Sequence, residues 1–181
     1  VRKVQTQPDS LAQEALRSYQ NGDLEAAIER FAAARVAFAG EGDRVKEAEM
    51  ANNLAVALLK AGRPQEAYDT LEATPEVFRK AGAIKLEAQA YGNLGSALEA
   101  LGDPTGAERS YSHAAQIFES LGAEEELGYT LQAISRLQLR RGRPFEALAS
   151  MQEAVASSSK PRFIKRALET ILRLPSRLMN R

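Results

Sequence analysis

An all-α solenoid of stacked helical hairpins is the fold class the sequence predicts, on three observations. Gly22, Gly62, Gly102 and Gly142 are spaced by 40 residues, and a second register, Gly42, Gly82 and Gly122, repeats at the same period. Five residues after each glycine of the first set stands an alanine: Ala27, Ala67, Ala107 and Ala147. Phe38, Phe78 and Phe118 stand four residues before the second set, and Pro64, Pro104 and Pro144 fall in register with the first. A fixed period of this length marks a repeat architecture whose units must stack, because one hairpin cannot bury its own apolar face.

Each unit reads as an inner and an outer helix, the glycines supplying the left-handed residue that closes a helix. The first unit turns at Gly22, where Asp23 offers a capping oxygen to the outer helix. The second reads as helices over Arg44–Lys60 and Gln65–Lys80, with Pro64 tolerated at the first helical position because its missing N–H would be unpaired there. Asp103 caps the third unit's outer helix, whereas Arg63 and Arg143 offer no capping oxygen. Small residues at Ala15, Ala55, Gly95 and Ser135 let paired helices approach closely. Leu54, Leu58, Leu94, Leu98, Leu71, Tyr111, Phe78 and Phe118 fill the space beside them. Ser18, Gln138 and Met151 occupy places where a better core filler is expected, and Thr74 replaces an alanine. A fifth inner helix is expected from Pro161, with Phe163, Ile164, Ala167, Leu168, Ile171 and Leu172 on one stripe. It stops at Pro175 and acts as a solvating cap.

Composition narrows the chemistry. The chain has 181 residues, 44% hydrophobic and 27% charged, an ordinary globular balance. No run approaches the roughly 18 apolar residues of a spanning helix, so no membrane span is expected. The sequence opens Val1-Arg2-Lys3-Val4 without Met or a following apolar stretch, which reads as a trimmed chain without a signal peptide and implies a cytoplasmic protein. Zero Cys removes thiol nucleophiles and Cys-type zinc sites. His113, the single histidine, reads as a partly exposed structural residue on an outer helix. Glu124, Glu125 and Glu126 open an inner helix, where acids complement the dipole; a metal site there is the weaker reading. No glycine loop for phosphate and no nucleophile–base pair is present, so neither an enzyme nor a cofactor is expected.

The repeat residues resemble the tetratricopeptide repeat family. The pattern is a small residue, seven residues to Gly-[Asp/Arg], five more to Ala, then a large apolar residue and Ala. The third unit gives Gly95, Gly102-Asp103, Ala107, Tyr111 and Ala114. The 40-residue period is similar to a long-helix subclass that includes polarity adaptors, kinesin light chains and bacterial peptide-sensing regulators. The resemblance implies a right-handed superhelix. Its expected divisions are an extension over 1–8, four repeats over about 9–42, 43–82, 83–122 and 123–158, and a cap and basic tail over 159–181.

It also implies a concave groove lined by the inner helices. The residues facing it are Ala12, Leu16 and Tyr19; Asn52, Asn53, Val56, Leu59 and Lys60; Gln89, Asn93, Ser96 and Glu99; and Tyr129, Gln132, Arg136, Leu139 and Arg140. In family members an Asn at the places of Asn53 and Asn93 bonds to the backbone of an extended peptide, an amide offering both donor and acceptor. The other reading of these amides is that they satisfy neighbouring helices or water.

Charge adds a direction. Residues 40–129 carry 8 basic and 16 acidic side chains, and residues 130–181 carry 11 basic and 3 acidic. Arg136, Arg140, Arg141 and Arg143 crowd the fourth unit, where guanidinium groups could fork onto a partner's carboxylates or simply favour a helix C-terminus. The expected protein is therefore a monomeric scaffold or adaptor that binds a protein or peptide partner carrying an acidic segment. The alternative is a ligand- or peptide-sensing module of a larger bacterial regulator. Nucleic-acid binding rests on charge alone and is not expected.

Overall fold

A computed structural model describes residues 8–156, and the expected cap from Pro161 onward lies outside them. The described residues form helices joined by short turns, in the order α1 (Pro8–Gln20), α2 (Leu24–Glu41), α3 (Arg44–Lys60), α4 (Pro64–Leu71), α5 (Thr74–Lys80), α6 (Ile84–Ala100), α7 (Pro104–Ser120), α8 (Glu124–Arg140) and α9 (Pro144–Ala156). The described residues fall into two compact units that divide between Ser110 and Tyr111. No strand occurs among the described residues.

All seven lattice glycines have φ between 63° and 82°, the left-handed region that side-chain-bearing residues avoid. Each closes its helix with the same pair of bonds. Gly62 N–H donates to Leu59 O at 3.1 Å and Arg63 N–H to Leu58 O at 2.9 Å; Gly82 and Ala83 donate to Arg79 and Phe78 at 3.1 and 2.9 Å. Phe38, Phe78 and Phe118 thus serve twice, each with a buried ring and a carbonyl that receives the residue beyond the glycine.

The starts of the helices follow the sequence. Asp23, Asp43 and Asp103 accept from the backbone N–H of Ala26, Lys46 and Gly106 at 3.2, 2.9 and 2.9 Å. Where arginine replaces aspartate, the side chain pairs with a carboxylate three residues on, and at Arg63 no side chain caps the helix. Arg63 donates to both oxygens of Glu66 at 2.6 Å, and Arg143 forks onto Glu146. Arg63 also reaches Glu25 of the preceding hairpin at 3.5 Å.

In the first unit α3 packs on α2, α4, α5 and α6, and α1 packs on α2. Its core contains Ala15, Phe31, Phe38, Leu54, Ala55, Leu58, Ala67 and Leu71. Ala15 and Ala55 are fully buried where the small residues were expected. In the second unit α8 packs on α9, and the hydroxyl of Ser135 donates to Ala147 O at 2.7 Å, so the small position also bonds across the hairpin.

Two of the weakly filled places, Ser18 and Gln138, turn out to be polar pairs. Ser18 accepts from Arg30 at 2.6 Å, and Gln138 accepts from Ser150 at 3.0 Å, each pair bridging its hairpin over the same twelve-residue separation. Repeats with leucine at this place, Leu58 and Leu98, need no such partner.

One helix differs from expectation. The stretch 65–80 is not continuous: α4 ends at Leu71 and α5 begins at Thr74. Pro75 has no N–H to give Leu71 O, four residues back, and its ring crowds that carbonyl. Thr74 Oγ1 donates to Leu71 O at 2.8 Å instead. Threonine at this buried place is therefore the compensation for the proline beside it.

Candidate functional site

The inner-helix residues of the first unit are joined across helices by two contacts. Lys60 Nζ of α3 lies 4.7 Å from the centre of the Tyr19 ring of α1, a cation–π geometry. Asn93 Nδ2 of α6 donates to Asn52 Oδ1 of α3 at 2.9 Å. The face between them carries exposed Leu16 and Asn53 and half-buried Ala12, Val56, Leu59, Gln89, Ser96 and Glu99. Ser96 Oγ returns its hydrogen to Gly92 O within its own helix.

Asn52 corrects the sequence reading. It is 7% exposed, so it is not a surface of the face but a bracket behind it. The two asparagines one period apart, Asn53 and Asn93, also differ in environment. Asn53 is exposed, whereas Asn93 is half-buried and commits one amide hydrogen to Asn52. The reading in which an amide satisfies a neighbouring helix therefore holds for Asn93, because period and register say nothing about the partner one residue away.

In the second unit Tyr129, Gln132, Arg136, Leu139 and Arg140 form an exposed stripe along α8. Tyr129, Gln132, Arg136 and Leu139 recur every three to four residues, opposite Leu127, Leu131, Ile134 and Leu137, which are buried. Tyr129 is 64% exposed and its hydroxyl donates to Glu125 at 3.2 Å. Arg143 does not belong with this stripe: it is spent on Glu146, whose carboxyl it holds below the usual carboxylate range. Glu66 is lowered for the same reason by Arg63.

Among the described residues no group of acids and His could hold a metal ion, and no helix is long and apolar enough to cross a membrane. His113 is exposed on α7, away from any second histidine.

Residues 86–160 match the tetratricopeptide repeat family. No curated protein matches the chain in sequence. Solved structures do match in fold. BtubC from P. vanneervenii is 20% identical, with TM-score 0.77 over 94% of this chain and 68% of its own. The nearly identical TPR-like repeats of a Podosopora anserina protein described as a kinesin light chain are 18% identical, with TM-score 0.74 over 92% and 85%. A Rap protein complexed with Competence and Sporulation Factor is 19% identical, with TM-score 0.72, covering 87% of this chain and 45% of that protein.

Proposed function

We propose, on the premise that the chain is a tetratricopeptide repeat protein, that it acts as a non-catalytic scaffold taking a peptide or a partner helix on its inner-helix face. The observation that carries this reading is the amide-bearing face of α3 and α6. Exposed Asn53 and half-buried Gln89 and Asn93 offer donors and acceptors beside apolar Val56 and Leu59. Amides pair with both halves of a peptide group, and the apolar neighbours suit its side chains. On the second unit, Arg136 and Arg140, with Tyr129, Gln132 and Leu139, suit an acidic segment of a partner. The protein in this reading is a monomeric, cytoplasmic, bacterial adaptor organised as four repeats and a cap, without a cofactor.

Selection of peptides from a random library, followed by calorimetry, tests it. Asn53→Ala with Gln89→Ala should weaken a selected peptide by about 1–3 kcal/mol, as bonds to its backbone are lost. Equal affinity for wild type and variant would place the ligand on another surface. A second reading, a peptide- or ligand-sensing module of a larger regulator, draws support from the Rap complex, of which this chain spans 45%.

A further inference from the structure

The break at Pro75 has a second consequence, on the opposite side of α3 from the amide face. Arg35 of α2, Arg44, Glu47, Ala48 and Ala51 of α3, and Thr70, Ala73, Thr74 and Val77 around the break surround an open recess of about 180 Å³. A neighbouring recess of about 310 Å³ shares Arg35 and Glu47 and is otherwise lined by Ala32, Val36 and Ala39. Small-molecule sites are concave, mostly apolar and carry a few placed polar groups. The polar groups here have an uneven balance. Thr70 and Thr74 give their hydroxyl hydrogens to Glu66 O and Leu71 O at 2.7 and 2.8 Å, and Ala73 O is taken by Val77 N–H. Glu47 is paired with Arg44 at 3.1 Å. The side chain of half-buried Arg35 has neither an ion pair nor a hydrogen bond among the described residues. The recess therefore offers unspent guanidinium donors over a floor of alanine and valine methyls. An anion with aliphatic carbons attached matches both halves.

We infer that this recess binds a short aliphatic carboxylate, its head forked by Arg35 and its chain laid on Ala48, Ala51, Ala73 and Val77. The site is separate from the amide face, and neither reading depends on the other. Methyl and guanidinium NMR of the whole chain, titrated with hexanoate and with hexanamide, provides the test. Hexanoate should shift the Ala48, Ala51 and Val77 methyls and bind about tenfold more tightly than the amide. Arg35→Gln should erase that preference, while Arg109→Gln, an equal charge change at an exposed residue of α7, should leave it intact. Equal binding of acid and amide, shifts at other methyls, or a preference that survives Arg35→Gln would overturn the proposal. So would binding of N-acetyl-alanyl-leucine without binding of hexanoate.

Discussion

Asn52 and Asn93 show how much can turn on one amide. Asn52 Oδ1 is enclosed at the junction of α3 and α6, and its partner at 2.9 Å is Asn93 Nδ2. Removing one partner of a buried pair leaves the other desolvated and unmade, which costs more than the bond itself contributes. Asn93→Ala is therefore expected to lower stability by about 1–3 kcal/mol in denaturant titration. Asn53→Ala, on an exposed side chain, should stay within about 0.5 kcal/mol. Similar losses for both would mean that the Asn52 amide does not depend on Asn93. The sequence placed both asparagines on inner helices but not their difference. Adjacent residues on a helix point about 100° apart, so a period can name a face while leaving a neighbour to be buried behind it.

At the scale of the element, the interrupted α4–α5 helix is the departure from the repeat. Pro75 was legible in the sequence, yet the register runs through the break: Phe78 is still buried and Gly82 still closes the helix. Periodicity is blind to an interruption that keeps the phase. A double-mutant cycle separates cause from compensation. Thr74→Val alone strands Leu71 O and is expected to cost about 1–3 kcal/mol. In a Pro75→Ala background residue 75 regains an N–H for that carbonyl, so the same change should cost little. Additive effects would refute the coupling. The short α5 also carries a pH signature. Hydrogen bonds from Arg79, with a smaller contribution from Lys80, hold the Glu76 carboxyl at about 2, against an ordinary 4.5. A depressed carboxylate stabilises the fold above its unfolded value and loses that effect as pH falls through its folded one. Wild type and Glu76→Gln should thus differ most above pH 4.5 and converge towards pH 2 in urea midpoints, modestly because the pair is exposed. A gap that persists at pH 2 would assign it to another cause.

For the whole molecule, charge and repetition are the two properties that no single helix carries. Residues 40–129 have twice as many acidic as basic side chains, and residues 130–181 reverse the balance. Oppositely charged stretches invite contact between copies, but exposed charges are screened beyond about 8 Å in physiological salt. Light scattering is expected to give a monomer there, and Arg136→Glu with Arg140→Glu should slow association with an acidic partner and flatten its salt dependence. A salt-resistant oligomer, or an on-rate indifferent to the reversal, would contradict this. The repeat itself was the most readable part of the sequence, because a left-handed glycine has few substitutes and its spacing survives changes in every residue around it. The seven closures have one further meaning. Around each lattice glycine nothing lies within 4 Å of where a Cβ would stand, so these residues are held by backbone conformation alone and belong to no particular neighbour. Excising residues 23–62 would join Gly22 to Arg63, recreating the Gly-Arg step already used at Gly62 and Gly142. The seams are interchangeable, which makes the gene editable in whole hairpins: a lineage could lengthen or shorten this chain by recombination without having to invent a turn.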